Sequence, residues 1–138
     1  RGDDLLIQPS FYPFKLMSNM ARGESLDLLV DAPMVETPRY GGVPALDVSA
    51  SRDPQSGAQE LFIVTRSHTE TIQTRLAWQE SAPQSVQDIW QLAGTDLKMV
   101  NSYEEPNNLV AQRIPVAGIQ DSQLDLAIPP LSFTALQF

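Results

Sequence analysis

Cysteine is absent from this 138-residue chain, which excludes a disulfide framework and any thiolate metal site. Histidine is nearly absent as well. His68 stands alone in Arg66-Ser-His-Thr-Glu70, and one imidazole without ligand spacing reads as a solvated hairpin turn rather than a metal ligand. Basic residues are few: 9 Lys and Arg against 17 Asp and Glu, a net charge of −8. That balance repels phosphate backbones, so nucleic acid is not an expected partner. No apolar run approaches a membrane span, and no signal-like segment is visible from Arg1 onward. Also missing are a Gly-x-Ser-x-Gly elbow, a phosphate-cradling glycine motif and zinc spacing. The chain is therefore expected to carry no catalytic apparatus of its own, no metal and no cofactor. The lack of thiols fits a reducing compartment, with the cytoplasm as the expected location.

What is present is β patterning broken by turns. Eleven prolines and seven glycines are spread along the chain, which is long enough to bury roughly two thirds of its unfolded surface. Ala45–Ala50 alternates, with Leu46, Val48 and Ala50 on one side; Ile72, Thr74, Leu76 and Trp78 alternate against Gln73, Arg75 and Ala77. Leu61–Val64 is continuously apolar, as in a central strand covered on both faces. Further strands are expected at Ser25–Val30, at Val86-Asp88-Trp90 on one parity, and over 109–116, 123–128 and 132–138. Pro33–Pro44, with Gly41-Gly42, reads as a loop, and Asp53-Pro-Gln-Ser-Gly57 as a turn. Seven or eight short strands with turn clusters between them argue for an antiparallel sandwich.

The first 23 residues differ. Leu5-Leu6-Ile7 has the pattern of a strand buried on both faces in a parallel sheet. Pro13 suits the first turn of a helix, Phe14, Leu16, Met17, Met20 and Ala21 recur at helical spacing, and Gly23 is a natural stop. Strand, helix and then sandwich is the order in which a barrel would hand over to an appended domain. The expected division is 1–23 as the last strand and helix of a (β/α)8 barrel and 24–138 as the sandwich.

Three groups are candidates for chemistry. The acidic pairs Asp3-Asp4 and Glu104-Glu105 lie in terminal or loop sequence, whereas a retaining glycosidase holds two carboxyl groups about 5 Å apart on rigid elements. Surface charge is the simpler account. Trp78 and Trp90 would make a sugar-stacking platform if exposed, but their parity places them in the core. Gln8 closes the apolar run Leu5–Ile7. At that end of a barrel strand a side chain faces the active site; elsewhere a glutamine there is only a polar stop.

Gln8-Pro-Ser-Phe-Tyr-Pro-Phe14 resembles the segment that ends barrel strand eight and begins its helix in glycoside hydrolase family 51 α-L-arabinofuranosidases. Ala21-Arg-Gly23, Val43–Ala50, Leu61–Arg66, Leu97-Lys-Met-Val-Asn-Ser-Tyr-Glu-Glu-Pro106 and Ile128-Pro-Pro-Leu-Ser-Phe-Thr-Ala-Leu136 extend the resemblance over nearly the whole chain. It departs at Pro9-Ser10, where the family carries a β-branched pair, and at Leu131, where many members are polar. The resemblance implies a mainly β fold: a two-layer antiparallel sandwich preceded by one short helix left over from a (β/α)8 barrel. It implies a parent enzyme that releases terminal arabinofuranosyl groups from arabinan and arabinoxylan oligosaccharides with retention. Two glutamates on earlier barrel strands would do the chemistry. Of the family's site residues only Gln8 carries over, as a substrate-binding amide that hydrogen-bonds the arabinofuranose. The implied partners are the missing catalytic barrel, the oligosaccharide and further copies of the parent enzyme.

On this reading the chain alone hydrolyses nothing, the strand at Leu5–Ile7 is left without neighbours, and the helix packs on the sandwich with Phe14, Met17 and Met20 shielded. A free-standing carbohydrate-binding sandwich instead requires exposed aromatics. A plain interaction domain requires residues 1–22 to be a loose extension.

Overall fold

A computed structural model describes residues 5–116 and 118–138. Asp3 and Asp4 lie outside the described residues. The elements in chain order are α1 (Phe11–Met20), β1 (Glu24–Ser25), β2 (Met34–Thr37), β3 (Gly41–Pro44), β4 (Leu46–Arg52), β5 (Gln59–Thr65), β6 (Ile72–Ala77), β7 (Asp88–Ala93), β8 (Gln112–Arg113), β9 (Gln123–Ile128) and β10 (Ser132–Gln137). They form a six-stranded sheet in the order β1-β4-β5-β10-β7-β8 and two-stranded sheets β2-β3 and β6-β9. All pairings are antiparallel. The expected mainly β sandwich with one short helix is what the chain adopts.

The large sheet is covered on both faces, because its strands carry apolar side chains at both parities. Leu46, Ala50, Leu61, Ile63, Ile89 and Leu136 pack on one side with Leu124 and Ile128 of β9. Phe62, Leu92, Phe133 and Ala135 pack on the other, where Tyr12, Leu16 and Met20 of α1 and Leu109 and Ala111 cover them. On β6, by contrast, Ile72, Thr74 and Leu76 are half-buried while Gln73, Arg75 and Ala77 are exposed, the period-2 pattern of a strand wet on one face. Arg75 sits opposite Asp125 and donates Nε and Nη2 to its carboxylate at 2.7 and 3.1 Å.

Several expectations change against the structure, the buried face of the helix last among them. Ser25–Val30 is not a full strand: only Glu24 and Ser25 join the ladder. Leu26 adds one bond to the Ala50 carbonyl at 3.0 Å. Leu26 and Leu28, half-buried, then pack against the core while Leu29 stands 95% exposed. The side chains find the core although the backbone leaves the sheet. Pro33–Pro44 is a hairpin, β2 with β3, rather than a loop. Thr37 Oγ1 accepts from the Tyr40 N–H and donates to the Gly41 carbonyl, and Gly41 takes φ +66°, a conformation glycine adopts without strain. The strand expected over 109–116 shrinks to Gln112–Arg113. Val86 and Trp90 do not share a face: Val86 precedes β7 and packs with Ile89, whereas Trp90 joins Phe62 and Leu92. His68, exposed as expected, lies not in a hairpin but in the connection between strands of two different sheets, β5 and β6.

The helix differs in the face it buries. Phe11 and Tyr12 donate to the carbonyls of Gln8 and Pro9, so α1 starts on the turn that Pro9 initiates. Pro13 falls in its first turn, where a missing N–H leaves no helical bond unmade. The face turned to the sheet is Tyr12-Leu16-Met20. Phe14 is 75% exposed, and Met17 lies at the edge of the covered face, beside the groove that Phe62 and β4 line. Lys15, Ser18 and Asn19 make an exposed polar side, but the apolar arc opposite is wider than the face the sheet covers, so periodicity alone cannot choose the buried part.

Glu60 on β5 is a buried carboxylate that accepts from the Ser51 hydroxyl at 3.1 Å. Burial pushes its carboxyl above the ordinary value, with Ser51 and Arg22 pulling the other way. A folded-state value above the unfolded one gives stability that is present at low pH and lost as pH rises through the folded value. Glu60→Gln, which keeps an acceptor for Ser51, is therefore expected to be more stable than the parent chain near neutral pH. The margin should shrink toward the ordinary glutamate value of 4.5. Urea melts at the two pH values check this, and an unchanged margin refutes it.

Candidate functional site

Gln8 leaves the strand-like segment just before α1, and its side chain is not free. Nε2 donates to the main-chain carbonyl of Asn101 at 3.1 Å, across 93 residues of sequence. Asn101 answers with its own side chain, whose Nδ2 donates to the carbonyl of Ile7 at 2.8 Å. The same Nδ2 reaches the Leu109 carbonyl at 3.1 Å, and Oδ1 accepts the Leu109 N–H at 2.8 Å. Asn101 is 3% exposed, and every polar atom of its amide is engaged, as a buried amide requires.

This explains the short β8. The N–H and C=O of Leu109 are spent on Asn101 and are not available to a ladder. The loop between β7 and β8 has further ties of its own. Asn108 Nδ2 donates to the Val100 carbonyl at 3.0 Å, and Ser102 Oγ accepts from the Glu105 N–H. Glu104 and Glu105 are both exposed on this loop, so the acidic pair is surface charge rather than a catalytic dyad.

A glutamine amide offers two N–H donors and a carbonyl acceptor. Because its partner is a carbonyl oxygen, the nitrogen must be the atom facing Asn101. One donor is committed there; among the described residues the second donor and Oε1 are left for a ligand. That is the complement a sugar hydroxyl needs, since a hydroxyl both gives and accepts. Around Gln8 the surface is apolar: Leu5 is 86% exposed, and Ile7, Phe11 and Phe14 are also exposed. Leu5–Ile7 makes no strand pairing here.

The other candidates do not converge on this region. Trp78 is half-buried in the sandwich core, edge-on to Phe138 at 5.3 Å, with Nε1 donating to Gln59 Oε1. Trp90 lies under the opposite face. Neither offers an open ring for stacking. An open groove runs between the end of α1 and β4, lined by Met17, Arg22, Ser49 and Phe62 among others, with no carboxylate in its lining. Among the described residues no group of three acidic, histidine or cysteine side chains is placed to hold a metal ion, and no helix is long and apolar enough to cross a membrane.

Sequence reading singled out Gln8 but not Asn101. A signal was there: Asn101 opens Asn-Ser-Tyr-Glu-Glu-Pro106, one of the segments that carry the family resemblance.

Residues 1–132 match the model of the α-L-arabinofuranosidase C-terminal domain. An intracellular exo-α-(1→5)-L-arabinofuranosidase of Streptomyces lividans is 29% identical over 130 residues, covering 94% of this chain and 20% of that protein. An exo-α-(1→6)-L-arabinofuranosidase of Bifidobacterium longum is 28% identical over 132 residues, covering 94% of this chain and 25% of that one. The chain thus spans a fifth to a quarter of the length of these relatives. The fold is that of a solved family 51 α-L-arabinofuranosidase from Bifidobacterium longum, with a TM-score of 0.87 at 23% identity over 96% of this chain and 26% of that one.

Proposed function

Because this chain belongs to the α-L-arabinofuranosidase C-terminal domain family, we propose that it works as the non-catalytic end of an exo-acting α-L-arabinofuranosidase. The parent enzyme removes terminal arabinofuranosyl groups from arabino-oligosaccharides. Its two catalytic carboxyl groups sit on a (β/α)8 barrel supplied by other polypeptide. Residues 1–23 close that barrel, and residues 24–138 brace it. Gln8 then lies at the mouth of the barrel, where its uncommitted N–H and carbonyl take hydroxyls of the bound sugar without adding charge beside the acid and the nucleophile. The enzyme acts in the cytoplasm as a homo-oligomer.

The observation that carries this reading is the outer side of α1. A ten-residue helix with one apolar stripe on the sandwich and Phe11 and Phe14 turned away from it has the residue distribution of an element buried on two sides. A closing barrel helix is such an element, with the sandwich on one side and the barrel wall on the other. The left-handed backbone at Gly23, φ +72°, supports the seam between the two parts.

The test is Gln8→Ala in the full-length polypeptide. With arabinofuranoside substrates kcat/KM is expected to fall by about 1–3 kcal/mol of transition-state stabilisation, because hydrogen bonds to the sugar are lost. An unchanged kcat/KM removes Gln8 from the substrate site.

A further inference from the structure

We propose that Asn101 is a positioning residue for the glycosidase site: the sandwich reaches into the active site through it and fixes the orientation of Gln8. The inference rests on the reading of Gln8 as a substrate-binding amide and extends it to a residue on the other domain.

The geometry is reciprocal. The Asn101 main chain accepts from the Gln8 side chain, and the Asn101 side chain donates to the main chain of the residue before Gln8. Two bonds in opposite directions between the same short segments fix both the position of the backbone and the rotation of the amide. A single bond would leave Gln8 free to swing about it. The second end of the Asn101 amide is anchored on Leu109 by two further bonds, and Leu109 packs against the apolar layer on the α1 face of the large sheet. The chain of support runs from the sheet to Leu109, to Asn101, to Gln8. Every link is within hydrogen-bond or van der Waals contact, and the middle one is buried. Groups that bind a reacting sugar need this kind of second support, because small misplacement costs a large factor in rate.

A purely structural asparagine, holding only its own loop, would bond Leu109 and stop there. The bond to Ile7 is the one that such a role leaves unexplained. Asn108 provides the comparison: it ties the same loop through Val100 and makes no bond to residues 7 or 8.

The experiment is a double-mutant cycle in the full-length enzyme, reading kcat/KM on an aryl arabinofuranoside with Gln8→Ala, Asn101→Ala and the pair. Asn101→Ala is expected to lose about tenfold, and the pair to be no worse than Gln8→Ala alone, within about twofold, because both substitutions remove the same interaction with the sugar. Asn108→Ala is expected to leave kcat/KM unchanged. Should Asn101→Ala fail to fold, Asn101→Ser is measured in its place; its shorter, uncharged hydroxyl cannot span Leu109 and Ile7 together as the amide does. A damaging Gln8→Ala combined with independent, multiplying losses overturns the positioning role and leaves Gln8 in the site. So does a silent Asn101 variant, or an Asn108→Ala loss equal to that of Asn101→Ala. A silent Gln8→Ala overturns the substrate-binding reading itself, and the positioning role with it.

Discussion

Gly23→Ala is expected to destabilise the chain by about 3 kcal/mol, lowering the melting temperature by on the order of 10 °C. Two terms add at this position. The backbone is left-handed, φ +72°, which an L-residue with a Cβ resists. The Cβ would also stand 2.3 Å from the Arg52 carbonyl oxygen, 2.8 Å from Asp53 Cα and 2.9 Å from Pro54 Cδ. These are main-chain and ring atoms, and no side chain can swing aside to make room. The turn they belong to is itself held: Asp53 accepts from the Gln55 N–H and the Ser56 hydroxyl, bonds that keep its carboxyl below the ordinary range. Gly57 separates the two terms. It has φ +77° but nothing within 4 Å of the built Cβ, so Gly57→Ala carries the backbone term alone, about 1 kcal/mol. Thermal melts of both variants decide the matter. Equal losses at the two positions would mean that the close approach of Gly23 to the 52–54 turn is not real.

Ile63→Ala is expected to cost about 4 kcal/mol, in the range for truncating a fully buried aliphatic side chain. Ile63 has no exposed surface and sits on β5 between β4 and β10, paired with Val48 and Thr134. Its side chain belongs to the layer shared with β9, so a void there has β-sheet backbone around it and little freedom to collapse. Val64, the next residue, is 44% exposed, and Val64→Ala is expected to lose less than about 1 kcal/mol. Urea denaturation of the two variants reads the contrast directly. Similar losses would contradict the unequal burial of the two positions, and a larger loss at Val64 would mean that the parity of β5 is reversed.

The strands were legible where one face is wet or where an apolar run is unbroken. β4, β5, β6, β9 and β10 fall where alternation or continuous apolar sequence placed them, because a period of two is visible without knowing the partner strand. What stayed hidden depends on contacts far away in sequence. The hairpin β2–β3 is written in prolines and glycines, which also write loops. The loss of the strand before β8 comes from Asn101 capturing the main chain of Leu109, and nothing local to 109–116 announces it. The inward stripe of α1 is hard to read because the apolar arc from Tyr12 through Leu16, Met20 and Met17 to Phe14 is wider than the face the sheet covers. The polar side at Lys15, Ser18 and Asn19 does not say which part of that arc is buried. At the candidate site, Gln8 was visible from its place at the end of an apolar run and from family resemblance. Asn101 was not, since its meaning lies in a bond spanning 94 residues.

The place of β10 has a consequence for how the chain acquires its shape. β1, β4 and β5 form one half of the large sheet and β7 and β8 the other, and β10 joins them, pairing with Val64–Glu60 on one side and Ala93–Asp88 on the other. A nascent polypeptide that has emerged only as far as residue 131 holds two half-sheets with a missing centre and two uncovered apolar edges. Assembly of the large sheet must therefore wait for Ser132–Gln137, whose pairing with β5 is the longest-range strand pairing among the described residues and of the slow kind to make. Until then the ribosome carries an open clam, and any barrel synthesised ahead of it has to stand unbraced.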